Sequence, residues 1–205
     1  MTVPPSTYEV VDRKIRFKGH MFDVVTDDVT MPGGVVAARD FMLHVGAVGV
    51  VALDSSDRVA LVHQYRHPVG AFLWELPAGL IDIAGEPLQH AAARELAEEA
   101  DLVAADWQLL VDLHTTPGAS NEVIRLFLAR DLTPVAAENR YQREHEEAEL
   151  TVRMVPLDEA LDMVFRGEIT NGPAIAGLSA TAVLKSRGWP APVRRLDSDL
   201  PPRRV

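Results

Sequence analysis

Apolar and polar residues alternate, imperfectly, from Tyr8 to Leu43, which predicts strands over residues 8–17, 22–25 and 35–43. The turn signal Met31-Pro32-Gly33-Gly34 precedes the third of these. Together they predict an antiparallel meander too small to bury its own face. Residues 46–53 then form a continuous apolar run, a buried strand, followed by the turn Asp54-Ser55-Ser56-Asp57. Residues 59–65 are expected to complete a hairpin with it. Further strands are predicted over 107–113, 122–129 and 150–155. Helical spacing appears three times. One helix begins at Pro87 as its first residue, with Leu88, Ala92 and Leu96 as a narrow apolar stripe flanked by Glu95 and Glu99. A second runs from Pro156 to about Arg166-Gly167. A third opens at Gly172-Pro173 and closes at Gly188. Mixed strands with a few helices suggest an α+β sandwich.

Composition narrows the class. With 205 residues the chain can bury a substantial core, and 47% hydrophobic content is ordinary for a globular protein. The longest apolar stretch, 45–53, is too short to cross a bilayer, and the first residues lack a basic region followed by an apolar core. No membrane association and no signal peptide are therefore expected. The absence of cysteine excludes disulfides, thiolate ligands and a cysteine nucleophile, and it suits the cytoplasm. A net charge of −10 without a basic stripe argues against nucleic-acid binding. Residues 191–205, rich in proline and arginine, read as a flexible tail.

The chemistry concentrates at Glu95, Glu98 and Glu99. At about 100° per residue on a helix, these three fall on one face. Like charges at such spacings repel. The arrangement is either a solvated acidic face or a site for a hard cation, and divalent ions such as Mg²⁺ take oxygen ligands. An acidic protein handling an anionic substrate also needs a metal or placed arginines to offset repulsion.

Upstream, Gly79, Glu86, Arg94, Glu95, Glu98 and Glu99 read as G-x6-E-x7-R-E-L-x-E-E. This resembles the Nudix box, G-x5-E-x7-R-E-U-x-E-E-x-G-U, where U is aliphatic. One extra residue separates Gly79 from Glu86, in a loop that contains Gly85. Asp101 replaces the later glycine, and Asp tolerates the left-handed conformation of a helix end. The resemblance implies an α/β/α sandwich with a mixed sheet, preceded here by the small N-terminal β meander. On this reading residues 1–44 form the meander, 45–190 the catalytic domain and 191–205 the tail.

The family hydrolyses nucleoside diphosphates linked to another moiety, with divalent metals. By motif position, the resemblance makes Glu95 and Glu99 metal ligands, the carbonyl of Ala78 a further one, and Glu98 a ligand or a contact to metal-bound water. Glu98 and Glu99 are thereby catalytic candidates. Mg²⁺ is the implied ion, Mn²⁺ an alternative, with more than one ion per site. Arg94 would orient the glutamates, and Glu86 has either a structural role at the helix N-terminus or a catalytic one.

The flanks Gln64-Tyr65-Arg66-His67-Pro68 and Trp74-Glu75-Leu76-Pro77-Ala78-Gly79 resemble the ADP-ribose pyrophosphatase branch. So does Pro117, sixteen residues after Asp101, within Thr115-Thr116-Pro117-Gly118. This implies hydrolysis of ADP-ribose to AMP and ribose 5-phosphate. The alternatives are another nucleoside diphosphate derivative, an NDP-sugar or an oxidised nucleotide, and a module that binds ADP-ribose without cleaving it. Arg66 would pair with a phosphate and Arg39 would bind substrate, or remain an exposed strand charge. Glu75 and Glu122 would hold ribose or adenine, and Gly79 and Leu80 would line the pocket. Glu75 has a second reading, an ion pair with Arg66. The branch draws its general base from a loop glutamate, here within 139–149. Glu144, Glu146 and Glu147 are candidates, with Glu144 and Glu146 favoured alike, and His145 is an alternative. A homodimer is expected, with the N-terminal strands packed on or exchanged with the partner.

Overall fold

The computed structural model describes residues 8–143 and 149–204. Their contacts gather into two units. The first holds residues 8–46, 114–122 and 202–204, and the second holds 47–113 and 123–201.

In the first unit β1 (Val10–Lys18), β2 (Phe22–Thr30) and β3 (Val36–His44) form an antiparallel sheet in the order β1-β2-β3. The meander is present, and the imperfect alternation has a local cause. β1 shifts register between Val10 and Asp12 and again between Ile15 and Phe17, so its side chains do not keep one period. Arg13 stands opposite Asp27 and grips it through two hydrogen bonds of 2.6 and 2.9 Å. Asp27 is fully buried, and the hydrogen bond from Arg13 holds its carboxyl below the usual range.

The second unit contains two further sheets. β4 (Ala47–Ala52) is the centre of a mixed sheet ordered β7-β4-β9-β8. It runs parallel to β9 (Val123–Pro134) and antiparallel to β7 (Ala78–Leu80), while β8 (Leu102–His114) closes the edge. β5 (Arg58–Arg66) lies between β6 (Ala71–Glu75) and β10 (Thr151–Pro156). The expected hairpin of 46–53 with 59–65 is therefore corrected. The turn after β4 makes a single bridge, Leu53 to Val59, and the strands then diverge into different sheets. Each is apolar on both faces, so pairing follows from available partners rather than from an alternating pattern.

Helix α1 (Leu88–Ala100) covers one side of β4 and β9, with Ala91, Ala92, Leu96 and Ala100 against Val48, Val50 and Phe127. Helices α2 (Leu157–Phe165) and α3 (Gly172–Ser186) lie on a second apolar cluster, where Leu157, Ala160 and Leu178 join Val51, Leu126 and Leu128. The α/β/α sandwich is thus realised within this unit. Full burial of a side chain such as Leu96 contributes about 1.5–3 kcal/mol, which ties α1 to the sheet. Asn171 caps α3 by accepting the Ala174 N–H at 2.9 Å, with Pro173 in the first turn.

Residues 194–199 have defined partners. Arg125, buried to 1% exposure, donates to both oxygens of Asp112 and to the carbonyls of Ser198 and Asp199. Arg194 reaches Asp112 at 2.6 Å. Within the first unit, Arg203 donates to the His44 carbonyl and Arg204 to that of Tyr8. Among the described residues no helix is long and apolar enough to cross a membrane.

Candidate active site

Helix α1 carries the carboxylates, and its ends set their positions. Pro87 has extended backbone (φ −60°, ψ 136°), so it caps the helix and Leu88 is the first helical residue, one later than expected. At the other end Asp101 is left-handed (φ 54°, ψ 35°), and its N–H donates to the Leu96 carbonyl. The aspartate in the glycine position of the box therefore performs the same turn. Arg143 seals this end by donating to the carbonyls of Glu98 and Glu99 and to the Asp101 carboxylate, at 2.9–3.0 Å. Sequence reading passed over Arg143, which stands in a mixed-charge stretch with no feature to single it out.

Glu95, Glu98 and Glu99 occupy the last turns of α1, where the helix dipole disfavours negative charge. Glu95 is 9% exposed and Glu99 4%. Burial of two carboxylates at the negative end of a helix is costly without compensation. Part of it comes from neighbours. The Glu99 Oε2 accepts the Ala78 N–H at 2.8 Å. Arg94 Nη1 donates to Glu95 at 2.6 Å and to Glu98 at 3.3 Å, and its Nε and Nη2 face Glu86 at 3.4 Å. Burial alone would lower the Arg94 pKa, but Glu86 and Glu95 raise it overall. Glu86, Glu95 and Glu98 thus gather three carboxylates around the Arg94 guanidinium, while Glu99 is held by the Ala78 amide.

Gly79 leaves room for a neighbouring carboxylate. A Cβ there would overlap the Glu95 carboxyl in its present place against the backbone of β7. Leu80 follows at the end of β7, half-buried.

The donors of the cluster bear on whether it can hold a metal. Among the described residues no three Asp, Glu, His or Cys side chains already converge on one point. Glu95 and Glu98 turn instead to Arg94. The donors are nevertheless all hard oxygens, two of them on nearly buried carboxylates and in excess over cations, which fits a divalent ion such as Mg²⁺.

On β5 and β6, Arg66 and Glu75 form a two-bonded ion pair of 3.0 and 2.7 Å. The second reading of Glu75 is thus the arrangement seen. The Glu75 side chain is 4% exposed and that of Arg66 43%.

In the first unit, Arg39 lies on β3 opposite Asp27 and donates to the Ala38 carbonyl at 2.8 Å. The segment containing Pro117 docks on β3: the Met42 N–H donates to Ala119, and the Asn121 side chain accepts from the His44 N–H. Arg39, Phe41, His114, Pro117 and Arg203 line a cavity of about 500 Å³ in this unit. Glu122 accepts the Thr115 hydroxyl and faces the His44 Nδ1 at 3.5 Å. Glu144 and Glu146, with His145 and Glu147, lie outside the described residues.

Comparison with known proteins agrees with this geometry. The NUDIX domain model matches residues 43–177. The chain is 46% identical to an ADP-ribose pyrophosphatase of Mycobacterium tuberculosis, over 91% of this chain and 89% of that protein. It is 34% identical to an ADP-ribose pyrophosphatase of Bacillus subtilis, over 75% and 80% respectively. A crystal structure titled as an ADP compounds hydrolase shares the fold at a TM-score of 0.76 and 23% identity, covering 92% of this chain and all of that one. With an intact charged motif on α1 and this extent of identity, the chain belongs to the Nudix hydrolase family.

Proposed function

We propose that the protein hydrolyses ADP-ribose at its pyrophosphate bond, giving AMP and ribose 5-phosphate. The observation that carries this reading is the 46% identity to an ADP-ribose pyrophosphatase over nearly the whole of both chains. The complete set Glu86, Arg94, Glu95, Glu98 and Glu99 supports catalysis over binding alone. Nudix hydrolases in general need divalent metal ions. For this chain we propose Mg²⁺ or Mn²⁺, more than one ion per site, held by Glu95, Glu99 and the Ala78 carbonyl with Glu98 close by.

Bound metal would neutralise the diphosphate and lower the pKa of the attacking water. The protein's own residues do the rest. Arg94 holds Glu95 and Glu98, and the Ala78 amide holds Glu99; the carboxylates would turn from these partners toward a bound metal. Arg66 offers a guanidinium fork to a phosphate. Arg39, Gly79, Leu80 and Glu122 are assigned to substrate binding, and Glu75 to it through its hold on Arg66. A water adds across the P–O–P linkage, one P–O bond breaks, and the water's proton passes to Glu144 or Glu146 as general base.

We further propose a homodimer built on the N-terminal meander. Val11, Ile15 and Phe17 on β1 are each about 60% exposed, apolar side chains that a partner would cover. A cytoplasmic location is proposed from the cysteine-free composition.

The test is incubation of purified protein with ADP-ribose and Mg²⁺, with AMP and ribose 5-phosphate as the expected products. A panel of NDP-sugars and oxidised nucleotides ranked by kcat/KM would displace ADP-ribose if another member led. Intact ADP-ribose bound tightly without metal would favour a sensor. Light scattering at micromolar concentration is expected to give the dimer mass, and a monomer would refute that part.

A further inference from the structure

Gln64 occupies β5 between Val62 and Arg66, and all three side chains leave the same face of the strand. Opposite them on β6 stand Glu75, Leu73 and Ala71 in turn. Arg66 and Glu75 thus belong to the rows on either side of Gln64, and their ion pair bridges across the row that holds it. Gln64 is 4% exposed. Among the described residues its Nε2 is the buried side-chain polar atom with no hydrogen-bond partner. Such a donor is costly to keep, and an apolar side chain of equal length would serve folding better.

The pair above it is asymmetric. Arg66 is 43% exposed and has a path to an incoming anion, whereas Glu75, at 4%, has almost no access to water. When Arg66 turns to a diphosphate, Glu75 is left as a buried charge without that partner, a strongly unfavourable state. We propose that Gln64 is a positioning residue for substrate binding: its Nε2 donates to the Glu75 carboxylate as Arg66 moves to the substrate diphosphate. The amide stays unpaired in the free protein because its acceptor is engaged, and it makes release of Arg66 cheaper. This rests on the diphosphate-binding role of Arg66 proposed above.

The test is a double-mutant cycle on the full-length protein, with KM and kcat for ADP-ribose in Mg²⁺ and the thermal midpoint of each variant. Gln64→Met keeps the length and removes the donor. It is expected to raise KM about tenfold with kcat within about twofold, and to leave Tm unchanged or higher. In a Glu75→Gln background no charge is stranded, so adding Gln64→Met is expected to change KM by less than about twofold. An unchanged KM in the first variant, or an equal rise in both backgrounds, would overturn the proposal. A marked fall in Tm for both Gln64→Met and Gln64→Leu would do the same, since the amide would then have a folding role. A wild type inert towards ADP-ribose overturns the substrate reading alone. The cycle is then read on KM for whichever nucleoside diphosphate derivative the panel shows to be cleaved.

Discussion

Gly79 and Glu95 occupy adjoining space: the carboxyl of Glu95 lies where a side chain at residue 79 would begin. A methyl group at Gly79 must displace the carboxylate or the strand. Gly79→Ala is therefore expected to change stability by less than about 1 kcal/mol, because the carboxyl end of Glu95 can swing aside, and to lower kcat by more than tenfold. Urea unfolding and steady-state hydrolysis of ADP-ribose measure the two effects. An alanine variant of normal activity would show that Glu95 can be placed elsewhere.

Removal of carboxylate charge should separate stability from function. Glu98→Gln relieves repulsion at the negative end of α1 and is expected to raise stability in EDTA by about 0.3–1 kcal/mol. Glu99→Gln is expected to weaken Mn²⁺ binding and to lower kcat about 100-fold or more. Calorimetric titration with Mn²⁺, beside thermal melts with and without metal, tests both. A Glu99→Gln variant that bound Mn²⁺ normally would contradict the ligand assignment.

Asp112 predicts a specific acid response. Burial alone would raise its pKa, but Arg125 and Arg194 bring it below the usual carboxylate value. A carboxyl lowered on folding stabilises above its unfolded pKa of about 3.9, and the contribution disappears as pH falls through the folded value. Asp112→Asn should therefore flatten the loss of stability below about pH 4. Arg125→Met should be worse at neutral pH, by about 3–5 kcal/mol, because it leaves Asp112 buried beside only the half-exposed Arg194. Urea denaturation between acid and neutral pH resolves the two variants.

Arg143 closes the C-terminal end of α1 through three acceptors. Arg143→Ala is expected to lower stability by about 1–2 kcal/mol. Arg143→Lys should recover only part of this, since an ammonium cannot reproduce the planar fork. Thermal midpoints of the two variants decide it, and equal midpoints for Arg143→Lys and wild type would leave charge as the whole effect.

The most legible part of the sequence was the part with fixed charge spacing. Glu86, Arg94, Glu95, Glu98 and Glu99 have to share a helix and its preceding loop, and they do. Asp101 was legible as a left-handed end because few residue types tolerate one. The partnership of β4 and β5 was not, since strands apolar on both faces carry no signal of their neighbours. Nor was the tail. Arg125 sits inside a run of buried apolar residues, and its acceptors are Asp112, Ser198 and Asp199, far apart along the chain. No local pattern joins them. The ion pair of Arg66 with Glu75 was one of two readings, because a residue suited to bind phosphate is equally suited to bind a carboxylate.

The buried guanidinium of Arg125 also bears on the order of events during synthesis. Two of its acceptors are backbone carbonyls more than seventy residues downstream. Until residue 199 has left the ribosome, that charge on β9 has Asp112 of β8 but only part of its final set of bonds. The sheet beside α1 therefore reaches its full stability late, after α1 itself has long been made.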